Sequence, residues 1–183
     1  MTMPNFLIIG AFKGGTASLW YFLKQHPEIF MSPVKESRYF SYMNKTINYN
    51  GPGDKKFNND KVTTLERYKN LYKSVTGEKT IGEASSIYLY NKDAAENIRS
   101  SLPDVKLIVC LKNPVERAYS NYIQKRRNGE EYIKDFNKAL LEETKRKKNN
   151  FSPAWYYIEK GFYYNVLKNY FDIFRIEQFK IYT

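Results

Sequence analysis

A short apolar run, Asn5-Phe6-Leu7-Ile8-Ile9-Gly10, feeds directly into a glycine-rich turn, Gly10-Ala11-Phe12-Lys13-Gly14-Gly15. An apolar run of this kind is the pattern of a strand buried on both faces of a parallel sheet. Thr16 then opens a segment with Leu19, Phe22 and Leu23 at helical spacing, closed by His26-Pro27. Proline cannot continue a helix and biases the residue before it away from helical geometry. Strand, glycine loop, helix is a phosphate-binding device. Amide groups turn inward, the helix N-terminus adds partial positive charge, and a loop lysine adds a point charge.

The unit recurs. Lys106-Leu107-Ile108-Val109-Cys110-Leu111 is a second buried-strand run, and Pro114 suits an early helix position. Val115, Ala118, Tyr119, Tyr122 and Ile123 then form one apolar helix face. The polar stretch Asn44 to Asp60 reads as a loop. Helices are expected at Leu65 to Tyr72, Asp93 to Ser100, Phe136 to Lys147 and Tyr156 to Tyr170, with strands at Thr80-Ile81-Gly82 and Phe179 to Tyr182. Strands alternating with helices predict an α/β fold: a three-layer sandwich around a central, mainly parallel sheet, with P-loop-like nucleotide-binding architecture. At 183 residues the chain fits a single domain, 1–183.

Composition narrows the chemistry. The single cysteine, Cys110, excludes an internal disulfide framework and a cysteine zinc site. The single histidine, His26, excludes a multi-histidine metal centre, and its His-Pro turn reads as structural; no metal is expected. The apolar stretch Phe6 to Phe12 is too short to span a membrane and no basic segment precedes it, so a soluble, cytoplasmic protein is expected. Part of the formal charge of +11 is a lysine-rich background. Between Lys112 and Lys148, 11 Lys/Arg stand against 6 Asp/Glu, densest at Lys125-Arg126-Arg127 and Lys145-Arg146-Lys147-Lys148. Such runs are solvated helix faces or meet an anionic partner.

The loop spacing separates two classes of phosphate binder. Gly10 and Gly15 are placed as a G-x-x-x-x-G-K-[ST] triphosphatase loop requires. Thr16, however, stands where that loop needs lysine, and Lys13 comes three residues early. The second strand ends in Leu111-Lys112-Asn113, with no acidic residue for magnesium. Both departures argue against a metal-dependent triphosphatase.

Gly10-Ala11-Phe12-Lys13-Gly14-Gly15-Thr16-Ala17-Ser18-Leu19 resembles the 5′-phosphosulfate loop of sulfotransferases that use 3′-phosphoadenosine 5′-phosphosulfate. It is nearest to the branch of heparan-sulfate enzymes and their bacterial relatives, whose pattern is G-x-x-K-x-G-T-[TR]-[AS]-L. Ala17 departs from it, removing one side-chain contact. The resemblance implies that Lys13, Gly14, Gly15, Thr16, Ala17 and Ser18 bind the cofactor, with Lys13 also catalytic. Lys112-Asn113-Pro114-Val115-Glu116-Arg117-Ala118-Tyr119-Ser120 has the spacing of the family's 3′-phosphate motif, R-[DN]-P-x-x-R-x-x-S. Lys112 and Ser120 are thereby implied as 3′-phosphate ligands. Lysine in the arginine's place keeps the charge but loses the bidentate fork, so weaker cofactor binding is expected. Arg117 also matches, with an ion-pair or helix-face role as its alternative.

Ser32 to Ser41 resembles the family's K-E-x-x-[FY]-F segment. Its glutamate is the catalytic base in the glycan-modifying branch, where the cytosolic small-molecule branch uses a histidine. The resemblance implies Glu36 as base, with Tyr39 and Phe40 as apolar surroundings that raise its pKa. The alternative is a surface glutamate paired with Lys35 or Arg38. Gly82-Glu83-Ala84-Ser85-Ser86-Ile87-Tyr88 resembles a G-E-A-S-P-x-Y segment bordering the acceptor cleft, with Ala84 where heparan-sulfate enzymes carry lysine. Lys160-Gly161-Phe162-Tyr163 resembles a later G-x-Y segment. The resemblance runs from Pro4 to Tyr182 and lacks the family's C-terminal portion, so the domain is expected to end early.

The implied reaction is metal-free transfer of a sulfuryl group from the phosphosulfate to a hydroxyl or amine. The acceptor would be a small molecule or glycan, the product adenosine 3′,5′-bisphosphate, and no nucleic acid partner is expected. Two other readings stay open: a magnesium–ATP phosphotransferase on the same loop architecture, and a non-catalytic nucleotide- or polyanion-binding module.

Overall fold

A computed structural model describes residues 2–59 and 61–183. In chain order the elements are β1 (Phe6–Gly10), α1 (Thr16–Leu23), β2 (Ile29–Met31), α2 (Tyr39–Tyr42), α3 (Asp54–Asn59), α4 (Leu65–Asn70) and β3 (Thr80–Ala84). They continue as α5 (Ala94–Ser101), β4 (Lys106–Cys110), α6 (Pro114–Arg127), α7 (Phe136–Leu141), α8 (Glu143–Lys148), α9 (Tyr163–Phe171) and β5 (Phe179–Tyr182). The strands form one five-stranded sheet of order β2-β3-β1-β4-β5. Every pairing is parallel.

The expected first strand is the centre of this sheet and is buried along its whole length. Its side chains alternate between two cores, as a pleat requires. Leu7 and Ile9 enter a large core with Phe40, Tyr68, Tyr88 and Ile98. Phe6 and Ile8 face the opposite layer, where Leu19, Trp20 and Leu23 of α1 cover them. A third cluster, around Tyr122, Trp155 and Tyr157, packs α6 and α7 against the 151–157 segment. Helices therefore cover both faces of the sheet, giving the three layers expected.

The sheet order makes β1 the switch point. The chain builds β2 and β3 on one side of it and β4 and β5 on the other. In such sheets the crevice beyond the strands' carboxyl ends is where ligands bind. The loops after β1, β3 and β4 all open there.

Several elements differ from the sequence expectation. The stretch read as a loop from Asn44 contains α3, while its last residue, Asp60, lies outside the described residues. Asp54 holds α3 against the 151–155 segment, accepting from the Ser152 amide at 2.7 Å and hydroxyl at 2.6 Å. The helix expected from Phe136 to Lys147 is broken between Leu141 and Glu143. The one expected from Tyr156 begins only at Tyr163, because the Ile158 and Glu159 amides donate to the Glu143 carboxylate at 2.5 and 3.1 Å. Half of the basic run 145–148 is tied into the fold: Arg146 is buried on Glu131 at 2.7 Å and Lys147 pairs with Glu143 and Glu159, while Lys145 and Lys148 are exposed. Among the described residues no helix is long and apolar enough to cross a membrane.

Candidate active site

The loop after β1 turns tightly because two glycines permit it. A Cβ on Gly14 would run into the Cys110 carbonyl of β4. Gly15, at the N-cap of α1, has φ 97°, a conformation that favours glycine. Between strand and helix, Lys13 itself takes φ 66°. The Gly14 amide is already spent on the Ala11 carbonyl at 2.9 Å. The first-turn amides at Thr16, Ala17 and Ser18 have no partner within a helix, and these residues line a cleft of about 530 Å³.

Glu36 lines the same cleft from the other side. It sits in a turn where Glu36 and Arg38 both take positive φ, 62° and 60°, each an uncommon backbone state for a non-glycine residue. The end of β3 dictates that turn. The Glu36 amide donates to the Ala84 carbonyl at 2.8 Å, and the Arg38 amide to the Ser85 hydroxyl at 3.0 Å. Ser85 and Ser37 in turn donate to the buried Glu83 carboxylate at 2.5 and 2.7 Å. Tyr68 and Tyr88 add hydroxyl donors to Glu83 at 3.0 and 2.9 Å. Burial raises the Glu83 pKa even though these hydroxyls oppose the rise.

The Glu36 carboxylate accepts from the Ser86 amide at 3.1 Å, the Ser86 hydroxyl at 2.7 Å and the Lys35 ammonium at 2.9 Å. Burial pushes its pKa up, but Lys35, Ser86 and the charge of Arg38 outweigh burial and hold it below the ordinary carboxylate range. This corrects the expectation of a raised pKa. Tyr39 and Phe40 do not supply the deciding environment; they pack on Tyr68 in the large core.

Lys13 is lowered by burial and then by the charges of Lys112, Lys35 and Arg127. Like charges crowded in this way favour an anion among them. Ser120, from α6, lines the main cleft and, with Lys13 and Arg127, a smaller depression beside it. Lys112 lies within electrostatic reach of Lys13. Its ammonium is turned to Glu116 at 3.3 Å, and its carbonyl accepts from the Tyr163 hydroxyl at 2.9 Å. Arg117 is fully buried and donates to the Tyr157 carbonyl. It is a structural residue of the third cluster rather than part of the cleft surface.

Sequence reasoning passed over Lys35, Ser86, Arg127 and Lys160 as site residues. Arg127 belongs to the basic run 125–127, and Lys160 precedes the Gly161-Phe162-Tyr163 segment, so both stood beside a flagged motif. Lys35 pairs with its neighbour Glu36, as the alternative reading of that glutamate expects, whereas Ser86 gains meaning only from the fold, which brings it to the same carboxylate. Chemically, the cleft offers an ionised, oriented carboxylate opposite a cationic loop and a helix N-terminus, a set able to accept a proton and neutralise an anion.

The model of the sulfotransferase domain family matches residues 3–174. The chain is 34% identical over 122 residues to the membrane-associated sulfotransferase kil1 of Dictyostelium discoideum, covering 67% of this chain and 23% of that protein. It is 27% identical over 183 residues to human heparan sulfate glucosamine 3-O-sulfotransferase 5, covering 98% of this chain and 47% of that protein. The chain thus spans less than half the length of either relative. The crystal structure of a sulfotransferase from Alicyclobacillus acidocaldarius superposes with a TM-score of 0.95 at 37% identity, covering all of this chain and 73% of that one.

Proposed function

The chain belongs to the sulfotransferase domain family, and on that footing we propose that it transfers a sulfuryl group from 3′-phosphoadenosine 5′-phosphosulfate to a hydroxyl or amine of an acidic acceptor such as a glycan. One observation carries the reading: Lys13, on the loop after the central strand β1, and Glu36, on the loop after β2, line one cleft with the first turn of α1. The cationic crowding around Lys13 fits a bisphosphate donor.

The bound phosphosulfate supplies the sulfuryl group and a bisphosphate leaving group. Glu36 takes the acceptor proton as the acceptor oxygen or nitrogen bonds to sulfur. Lys13 neutralises the negative charge gathering on the phosphate oxygen as its bond to sulfur breaks. The Thr16 to Ser18 amides and hydroxyls hold the 5′-phosphate, while Ser120 and Lys112 hold the 3′-phosphate, with Lys112 leaving Glu116 to do so. Lys35 can move from Glu36 to the incoming anion, which frees the carboxylate and raises its proton affinity. Lysine and amide dipoles supply the electrostatic work in this scheme, with no metal required. The cleft continues into a groove lined by Lys56, Lys61 and Arg67, which supports an anionic acceptor.

The test is release of adenosine 3′,5′-bisphosphate from the phosphosulfate across a panel of acidic glycans and phenols. Turnover that vanishes in Lys13→Ala and Glu36→Gln supports the proposal. Acceptor-independent release, or none with any acceptor, counts against it.

A further inference from the structure

Lys160 is a buried lysine on the wall of the cleft. The residue is 2% exposed, and its Nζ has no hydrogen-bond partner among the described residues. A buried ammonium without a partner is strongly unfavourable unless something compensates it. Two ring faces lie against it, Phe12 at 4.4 Å and Tyr90 at 5.1 Å. Burial, and then the charge of Arg117, pushes its pKa well down; Glu36 and Glu159 oppose this and Lys125 adds to it.

The position is enforced by the backbone. The Tyr90 hydroxyl donates to the Lys160 carbonyl at 3.2 Å. A Cβ on neighbouring Gly161 would lie 3.0 Å from Pro114, so the chain is pressed against the start of α6. Lys160 is thereby wedged between the two loops. Its ring contact, Phe12, immediately precedes Lys13, and Lys160 lines the same cleft as Lys13, Thr16, Glu36 and Ser86.

We infer that Lys160 is a further ligand of the transfer site, its ammonium donating to an oxygen of the sulfuryl group carried by the bound donor. The inference rests on the proposed reaction. It explains why an unpaired cation is kept beside Phe12: the partner arrives with the donor. Adenosine 3′,5′-bisphosphate, which lacks the sulfuryl group, would not engage it.

Lys160→Met tests this by calorimetric titration of both nucleotides without acceptor, together with the melting temperature of unliganded protein. The phosphosulfate should bind about tenfold or more weakly, the bisphosphate within about twofold of wild type. Unliganded Lys160→Met should melt at or above the wild-type temperature, since an apolar chain replaces a buried amine that has no hydrogen-bond partner. Unchanged phosphosulfate affinity, equal weakening of both nucleotides, or a lowered melting temperature would each overturn the inference. The last would assign the ammonium to the fold. If wild-type protein binds neither nucleotide, the proposed reaction itself falls, an outcome distinct from all three.

Discussion

One oxygen of the Glu36 carboxylate accepts from both the main-chain amide and the hydroxyl of Ser86, at 3.1 and 2.7 Å. The two residues are 50 apart in sequence, and Ser86 is the second residue beyond the end of β3. The orientation of the candidate base is thus tied to the central sheet as well as to Lys35 of its own loop.

Glu36→Gln keeps the shape of this contact but removes the base. Turnover should fall by about 10²-fold or more, while bisphosphate affinity stays unchanged. Ser86→Ala leaves the amide in place, so its cost should be about tenfold at most. Steady-state kinetics beside calorimetry distinguishes the two; full activity of Glu36→Gln would remove the base assignment.

Lys35 sets the pH behaviour. The folded pKa of Glu36 lies below its ordinary value. Its pairing therefore adds stability that is present above the unfolded carboxylate pKa and is lost as pH falls through the folded one. Lys35→Met removes the largest of the lowering influences and leaves burial to raise the pKa. The acid limb of the pH–rate profile, where Glu36 must be ionised, should move to higher pH. A limb that stays put would contradict the Lys35–Glu36 coupling.

Gly14 and Gly15 should not tolerate alanine equally. At Gly14 the new methyl meets main-chain atoms of β4 that cannot yield, whereas Gly15 faces open space and only its φ of 97° is strained. Gly14→Ala should lose about 1–3 kcal/mol and Gly15→Ala about 1 kcal/mol. Chemical denaturation of both variants reads this out, and the reverse order would contradict the loop geometry.

Glu83→Ala would strip the shared acceptor from Ser37, Ser85, Tyr68 and Tyr88 in the core. A loss of about 3 kcal/mol is expected, with turnover falling as the Glu36 turn loosens. Burial raises the Glu83 pKa, and glutamine keeps an acceptor oxygen at this position with no charge to bury. Neutral Glu83→Gln should therefore be milder than alanine; equal unfolding midpoints for the two variants would argue against a shared-acceptor role.

The parts of this account legible in sequence are those written locally. The apolar runs at Phe6 and Lys106 declare buried strands, and the glycine spacing around Lys13 declares a tight turn from strand into helix. β2 has only three residues, Ile29–Met31, too few to show a pattern. The late start of α9 depends on the Glu143 carboxylate, which competes for amides that local propensity would assign to a helix. The direction of the Glu36 shift is hidden from the sequence for a similar reason. Apolar neighbours in sequence, Tyr39 and Phe40, turn into the core, and the deciding partners are Lys35 and the distant Ser86. Lys160 drew notice only as part of a motif, since its burial against Phe12 exists only in the fold.

The most direct test of the central claim is calorimetric titration of wild-type protein with adenosine 3′,5′-bisphosphate in the presence of a metal chelator, repeated with Lys13→Ala. The account predicts saturable 1:1 binding to wild type, at least about tenfold weaker in Lys13→Ala. Absence of binding to wild type, or equal affinity in the variant, would contradict it.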